Sequence, residues 1–313
     1  MLRVILRRML ISIPLVLVVS LVTFVLQSFI PGDPARAILG PNGTPEQYEA
    51  LRLGMHLDDP VLVQYGRYMS GLLHGDLGSS LFNQEPVAQS LANRFPVTLS
   101  LLIGSTVLCA VIGVLLGLLS VVLGGVMSKV VDVLSLLGLA LPNFWVALLL
   151  VSAFAVAIPL FPAIGYVPFA NSPNAWATSL VLPVIALSIG GLATVAKMTR
   201  DGIATALEKD YIRTLKACGI SSRSLILKHA LKNSGVSIVT VIGLTFVGAL
   251  SGSVFVENVF SLPGLGSLVI TATNQHDIPV IQGVALAFTL VVVVVNLLVD
   301  ITYSWLNPKV RTS

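Results

Sequence analysis

Charged side chains are scarce in this sequence. Only 10% of its 313 residues are Asp, Glu, Lys or Arg, whereas a soluble domain carries roughly 25%. Because a surface in contact with water needs those charges, the composition excludes an ordinary soluble domain. Hydrophobic residues make up 55% of the chain, and its mean hydropathy is +0.94. We therefore predict an all-α polytopic membrane protein.

The long apolar stretches also lack ionisable residues at their centres. A charge at mid-membrane costs at least about 2.5–3.5 kcal/mol and by default marks a functional site. Without one, the spans offer no carboxylate that couples transport to protons and no ring of charges for an ion filter. A sodium site made of backbone carbonyls would not need a charged side chain in the membrane. An ion-coupled secondary carrier therefore stays open as an alternative.

Several motifs of catalysis and cofactor binding are missing as well. The sequence has no G-x-x-x-x-G-K-[ST] loop, no G-x-S-x-G site and no paired intramembrane aspartates. Its two cysteines, Cys109 and Cys218, fall in an apolar run and a basic loop and indicate no disulfide framework. We expect no enzyme activity, no metal site and no cofactor in this chain. If ATP drives the protein, another subunit binds it.

Six apolar runs are long enough to cross a membrane, which takes roughly 20 helical residues. The first is longer than the roughly 7–15-residue core of a cleaved signal peptide, so we interpret it as an uncleaved span. Prolines and glycines divide the uncharged stretch after Asp132 into the third and fourth spans, and Pro142 predicts a kink inside the third. The predicted spans are Met9–Ile30, Val97–Leu123, Val130–Ile158, Thr178–Ala196, Val236–Val256 and Val280–Trp305.

The distribution of basic residues predicts the orientation of these spans. With both termini in the cytoplasm, 14 of the 18 Lys and Arg residues lie on the cytoplasmic side, in agreement with the positive-inside rule. The other four lie in the 31–96 segment, which has seven acidic residues and a net charge of −3. We predict three parts: 1–30 with the N-terminus and first span, an extracytoplasmic segment over 31–96, and a five-helix membrane core over 97–313.

The 31–96 segment carries the sequence signals of short helices. Thr44-Pro45-Glu46 predicts the start of one helix, which Gly54 can end. Asp59-Pro60 predicts the start of a second, and Pro86–Asn93 predicts a third that lies at the membrane surface. The segment is either a structural lid on the outer ends of the spans or a docking surface or gate for a partner that delivers substrate.

The 197–234 loop is predicted to form a rigid helical reversal on the cytoplasmic face. Apolar residues recur at helical spacing from Ile203 to Cys218, Gly219 can end that helix in the left-handed conformation, and Ser221 or Ser222 can cap the next. Eight basic and three acidic residues give the loop a net charge of +5. Anchoring to anionic lipid explains the charge alone, whereas receiving force from a soluble motor would also explain the ordered reversal. Both hypotheses stay open.

Asp210–Gly219 and the following Lys228–Asn233 resemble the cytoplasmic EAA loop of the inner-membrane permeases of peptide/nickel-class ABC importers. Arg213, Thr214 and Leu215 stand where the generic loop has Glu-Ala-Ala, a departure that fits the peptide/nickel variant. Six further segments resemble that class in the order in which they occur. They are Ile30–Ala35, Gly75–Ser80, Phe95–Leu99, Leu141–Trp145, Val259–Gly266 and Asn296–Asp300, followed by Asn307-Pro308.

This resemblance implies a type I ABC importer permease with six transmembrane helices in the cytoplasmic membrane. The implied partners are a second homologous permease subunit, two ATPase subunits or domains that bind ATP and magnesium, an extracytoplasmic substrate-binding protein and the lipid bilayer, with no nucleic acid. Di- or oligopeptides are the implied substrates, and nickel chelates or glutathione are the alternative. A membrane scaffold without a transport role is a further hypothesis.

The resemblance also implies which residues couple the chain to its ATPase. A short coupling helix is expected around Lys216–Ser222, although Gly219 as a simple helix stop and Lys216 as a lipid anchor are alternatives. Asn143 and Asn296 are polar residues inside apolar spans and are candidates for facing the transport pathway, unless they bond neighbouring helices. The candidate coupling residues are Arg213, Leu215, Lys216, Ala217, Cys218, Gly219, Ile220, Ser221 and Ser222.

Overall fold

The protein is built of α-helices in the computed structural model, which describes residues 2–27, 29 and 32–306. Within these residues there is no β-strand, and Ser79 and Pro86 form an isolated antiparallel bridge. The helices are α1 (Leu2–Gln27), α2 (Pro34–Leu39), α3 (Pro45–Gly54), α4 (Val61–Leu73), α5 (Val87–Leu123), α6 (Gly125–Ala140), α7 (Asn143–Val151), α8 (Pro173–Leu207), α9 (Asp210–Ala217), α10 (Ser222–Ser224), α11 (Leu231–Val259), α12 (Leu265–Gln275) and α13 (Ile278–Leu306).

Five helices are individually long and apolar enough to cross a membrane. Four of these spans lie on α1, α5, α8 and α13. The fifth runs without interruption over Ser222–Val259, where a π-helical segment joins α10 to α11. The sixth candidate is a broken pair in which α6 meets α7 and its π-helical end at a bend of 99°. The all-α, multi-pass fold predicted from the sequence is therefore confirmed. The end of the first predicted span, Ile30, and Asn307-Pro308 lie outside the described residues.

The bend between α6 and α7 has its cause at Pro142. Leu141 and Pro142 both have extended backbone angles, with ψ values of 122° and 138°. Proline disfavours the helical conformation of the residue before it and has no N–H to continue the hydrogen-bond ladder. The kink predicted inside one helix is thus a complete break, after which Asn143 begins a new helix.

Several membrane helices are longer than the predicted spans. α5 begins at Val87, so the helix predicted over Pro86–Asn93 and the second span form one element. α8 begins at Pro173, where the Ser172 hydroxyl accepts a hydrogen bond from the Ala175 N–H at 3.3 Å. The length of an apolar run reflects the thickness of the hydrocarbon layer that the helix crosses, whereas capping groups and helix breakers determine where the helix ends.

The described chain divides into two compact units. The first contains Leu99–Leu262 and the end of α13 from Val294. In this unit α8 packs against α6, α7 and α11, and a buried cluster of Cys109, Val195 and Val241 lies between the helices.

The contact between α6 and α8 depends on the absence of a side chain at Gly138. A Cβ atom at this position would lie 2.9 Å from the Ala193 Cβ and 3.1 Å from the Ile189 carbonyl oxygen. Because backbone atoms are among those neighbours, the two helices can approach this closely only with glycine at the crossing. The Ser135 hydroxyl, one turn away, donates to the Ala193 carbonyl oxygen at 3.1 Å.

The second unit contains Arg3–Thr98 and Pro263–Val293. Its α3 begins as predicted, with a capping box in which Thr44 accepts from the Gln47 N–H at 3.3 Å and Gln47 accepts from the Thr44 N–H at 2.9 Å. The predicted helix after Asp59-Pro60 is α4.

Asp277, between α12 and α13, fixes the segment that precedes α5. Its buried carboxylate accepts hydrogen bonds from the Ser80 hydroxyl at 2.5 Å and the Leu81 N–H at 3.2 Å. In the same unit, the Leu265 N–H donates to the Thr98 hydroxyl at 2.8 Å. These bonds join residues from the two ends of the sequence into one unit.

Candidate functional site

Two helices extend beyond the apolar layer and carry the 197–234 loop. α8 has 35 residues, about 52 Å at 1.5 Å per residue, whereas the hydrocarbon core of a bilayer is about 30 Å thick. The charged residues of α8 begin at Lys197, so its last turns lie outside the apolar stretch. Ser222–Val259 is 38 residues long and has its basic residues at its start. The loop therefore projects from the membrane on two continuous helices.

The predicted reversal at Gly219 is present and has a defined geometry. Gly219 has φ +81°, its N–H donates to the Lys216 carbonyl oxygen at 3.0 Å, and the Ile220 N–H donates to the Leu215 carbonyl oxygen at 3.2 Å. This pair of bonds is a Schellman motif, which satisfies the last carbonyls of a helix when a glycine takes the left-handed position. The tip of the loop is thus an ordered turn.

The structure corrects the expected helix around Lys216–Ser222. α9 ends at Ala217 and α10 begins at Ser222, so the residues between them, 218–221, form a turn between two helices. Gly219 cannot lie inside a right-handed helix while it has a positive φ. The short helix on the loop is α9, and the turn follows it.

The apolar stripe predicted from Ile203 to Cys218 is also interrupted. α8 ends at Leu207, and Lys209 is extended with ψ 147° before α9 begins. This break rotates α9, so that Ile212 is buried while Tyr211 and Cys218 are exposed. Periodicity along one uninterrupted helix could not detect the change.

The inner side of the reversal is anchored by apolar packing. Ile203, Ala206 and Ala230 form a buried cluster between the end of α8 and the π-helical segment before α11. Ile212 of α9 and Leu225 are buried as well. Half-buried residues complete the cluster: Leu118, Val121, Leu207, Ile226 and Leu231. The reversal is therefore a packed part of the first unit.

The outer side of the reversal is exposed and polar. Leu215 and Ile220 are half-buried, and Arg213 forms an ion pair with Asp210 at 3.5 Å on the surface. The remaining predicted coupling residues are exposed: Lys216, Ala217, Cys218, Gly219, Ser221 and Ser222. The structure therefore brings the nine candidate residues together on one projecting surface, which we call the α9 turn (Arg213–Ser222).

Arg200, near the start of the 197–234 loop, joins α8 to α6. Its guanidinium lies 2.6 Å from the Asp132 carboxylate and 3.0 Å from that of Asp201, and it donates to the Ser128 carbonyl oxygen at 3.2 Å. The Arg200 side chain is only 16% exposed. Sequence reasoning missed this link, although Asp132 is the only charged residue between Lys129 and Lys197.

The two candidate pathway residues do not share a site. Asn143 begins α7, stands opposite Gly252 of α11 and lines a cavity of about 180 Å³ that also has Thr194 and Thr245 in its wall. Asn296 is exposed on α13 and does not line that cavity.

Two family models together match nearly the whole chain. Residues 109–312 match the family described as the inner membrane component of binding-protein-dependent transport systems, and residues 1–102 match the model for the N-terminal part of that membrane component. The chain belongs to this family. The resemblance to permeases of ABC importers is thereby confirmed, and such components work with substrate-binding and ATPase partners.

Individual relatives match over the full length. A Brucella abortus protein, whose name describes a peptide transport system permease, is 40% identical over 313 residues and 98% of each chain is covered. The glutathione transport system permease protein GsiC of Escherichia coli is 35% identical over 312 residues, with 99% of each chain covered.

A solved structure shows the same fold. A chain of the MetNI methionine ABC transporter, in an inward-facing conformation, aligns with a TM-score of 0.56 and 16% identity. The alignment covers 70% of the present chain and 97% of the MetNI chain. This likeness confirms the importer-permease fold class and says nothing about the substrate.

Proposed function

We propose that this chain is the membrane-spanning permease subunit of an ATP-driven importer that carries di- or oligopeptides across the cytoplasmic membrane. The observation that carries the proposal is the α9 turn, an exposed and rigid surface held on two helices that continue into the membrane. The name of the 40% identical Brucella abortus relative supports peptides as the substrate class.

The proposal assigns each partner a place. A second homologous permease subunit completes the pathway, two ATPase subunits or domains bind ATP and magnesium, and an extracytoplasmic protein delivers the substrate. Both termini and the α9 turn lie in the cytoplasm, as the basic residues of the 197–234 loop favour. The chain itself catalyses no reaction and binds no cofactor.

Force transmission follows from the packing of the reversal. When the ATPase moves the α9 turn, buried Ile212 and Leu225 pass the displacement to the ends of α8 and Ser222–Val259. The ion pair of Arg200 with Asp132 extends the displacement to α6. Because close-packed interiors deform little, the connected helices move together.

Replacing residues 215–222 with a flexible Gly/Ser linker tests this mechanism. In the assembled transporter, reconstituted in vesicles, we expect peptide uptake to fall to background while the ATPase subunits still hydrolyse ATP. Co-purification of all subunits is the control for assembly. Uptake at the rate of the unmodified transporter would contradict the proposal.

The two native cysteines provide a direct test of ATPase contact. Cys218 on the α9 turn is exposed, whereas Cys109 is buried. A maleimide reagent should label Cys218 in the isolated chain and label it several-fold more slowly once the ATPase subunits are bound. Cys109 should react slowly in both states and thereby reports unfolding. Equal labelling of Cys218 with and without the ATPase would exclude it from the contact.

Glutathione is the second candidate substrate, because the chain is 35% identical to a glutathione permease over nearly its full length. Uptake of a labelled dipeptide and of labelled glutathione, measured separately in the assembled transporter, distinguishes the two. Uptake of the dipeptide alone supports peptides, and uptake of glutathione alone supports glutathione. If the chain alone accumulates substrate in vesicles under an imposed ion gradient, it is a secondary carrier instead.

A further inference from the structure

Helix α4 lies beside the apolar part of α1. The Tyr65 hydroxyl donates to the Leu17 carbonyl oxygen at 3.3 Å, and the Phe24 ring lies 5.6 Å from the Tyr65 ring in a T-shaped arrangement. The apolar part of α1 is Arg8–Gln27. Leu17 precedes Gln27, the last residue of α1, by ten residues or about 15 Å along the helix. α4 is therefore beside the apolar helix and not above it.

One edge of α4 faces the polar loops of the second unit. Gln64, Arg67 and Gly71 line a cavity of about 250 Å³, and its other walls include the loops 55–57 and 76–78. Arg67 also forms an ion pair with Asp59 at 2.7 Å, just before the start of α4. This edge, which we call the polar edge, thus turns towards the loops.

The opposite edge of α4 is apolar and uncovered. Leu62 and Leu73 are 73% and 83% exposed, and they lie on the same side of the helix because eleven residues span about three turns. Gly66 lies between them, and a Cβ atom added there would meet nothing within 4 Å. We call Leu62, Gly66 and Leu73 the apolar edge.

The helix on which α4 packs has an exposed apolar surface of its own. On α1, the side chains of Leu15, Val18, Val22 and Leu26 are exposed, as expected for a membrane span with lipid around it. α4 packs on this same helix through its tyrosines. Tyrosine is enriched at membrane interfaces, where its ring is apolar and its hydroxyl is polar.

We propose that α4 is an interfacial membrane helix. Its apolar edge lies among the acyl chains of the leaflet at the carboxyl end of α1, and its polar edge faces the loops of the second unit. An interfacial helix is buried about 5–10 Å into this boundary. This assignment does not depend on the proposed transport function.

Collision accessibility of nitroxide labels tests the depth of α4. Single cysteines Leu62→Cys and Leu73→Cys are introduced in a Cys109→Ala, Cys218→Ser background, and the assembled transporter is reconstituted in phospholipid vesicles. Val22→Cys on α1 is the reference for lipid, and Ala50→Cys, exposed on α3, is the reference for water. Gly66→Cys replaces either variant that fails to assemble.

The proposal predicts that labels at Leu62 and Leu73 collide frequently with oxygen and rarely with a water-soluble nickel chelate, as at Val22. We expect their nickel collision rates to be several-fold lower than at Ala50. Rates equal to those at Ala50 would place the apolar edge in water and overturn the proposal. Low rates with both reagents would show that protein covers the edge, which also overturns it.

Discussion

Gly219 fixes the shape of the α9 turn through its backbone angle. A residue with a Cβ pays roughly 1–2 kcal/mol to adopt the left-handed conformation, and φ at Gly219 is +81°. No atom lies within 4 Å of a Cβ built at this position, so a substitution would act through the backbone alone. The Schellman bonds from Gly219 and Ile220 would then be the first contacts to weaken.

We expect Gly219→Ala to lower the number of peptides imported per ATP hydrolysed several-fold, because a strained turn transmits movement less directly. Gly165→Ala is the matched control, since Gly165 has φ +97° and equally open surroundings but lies in the loop after α7. Uptake and ATP hydrolysis are measured in the same vesicles. An equal loss of coupling in both variants would assign the effect to backbone strain in general.

Arg200 offers a test of the link from α8 to α6. Arg200→Gln removes its ion pair with Asp132, whose side chain is 42% exposed, so we expect a loss of stability of about 1 kcal/mol and not more. Arg213→Gln breaks a fully surface pair with Asp210, for which a change within about 0.5 kcal/mol is expected. Thermal unfolding of the detergent-solubilised transporter measures both. A larger loss in Arg213→Gln would contradict the burial seen here.

Helix crossings in the first unit depend on close approach, as at Gly138 between α6 and α8. Gly138→Ala places a methyl group 2.9 Å from the Ala193 Cβ, and overpacking of this kind costs about 1–3 kcal/mol. Gly66→Ala in α4 meets no neighbour and should stabilise its helix by about 0.5–1 kcal/mol. Chemical denaturation of the reconstituted chain measures the free energy of unfolding, which should fall below that of the unmodified protein in Gly138→Ala and rise above it in Gly66→Ala.

Local signals predicted the short elements well. The capping box at Thr44 and the helix stop at Gly219 follow from interactions between residues three to five apart, which a sequence displays directly. The break after Leu207 was not predictable, because Glu208 and Lys209 are compatible with a helix. The contact of Arg200 with Asp132 joins positions 68 residues apart, and one sequence alone does not display such a distance.

The whole chain is asymmetric in charge, and this asymmetry predicts its orientation. Ala50→Cys on α3 and Ala204→Cys near the end of α8 are both exposed positions, and a Cys218→Ser background removes the reactive native thiol. A membrane-impermeant maleimide should label Ala50→Cys in intact cells and Ala204→Cys only after permeabilisation. The reverse pattern would place both termini outside the cytoplasm.

The fold class and the position of the projecting loop followed from patterns that extend over the whole sequence, namely the apolar runs and the basic residues beside them. The grouping into two units did not, because it depends on contacts such as that of Thr98 with Leu265. The predicted boundary between Pro96 and Val97 falls inside α5, which runs without a break over Val87–Leu123. The composition becomes apolar at Val97, where the chain is predicted to enter the lipid layer, but the helix itself continues through this position.

The bonds of Asp277 to Ser80 and Leu81 have a consequence for biosynthesis. A ribosome that has completed Thr98 must still add the intervening helices before α12 emerges, which takes roughly ten to forty seconds at about 5–20 residues per second. During that time Ser80 and Leu81 lack the carboxylate of Asp277 to which they donate hydrogen bonds in the complete protein. Nascent chains that stop before Pro263 would therefore present an unfinished surface to membrane chaperones and proteases.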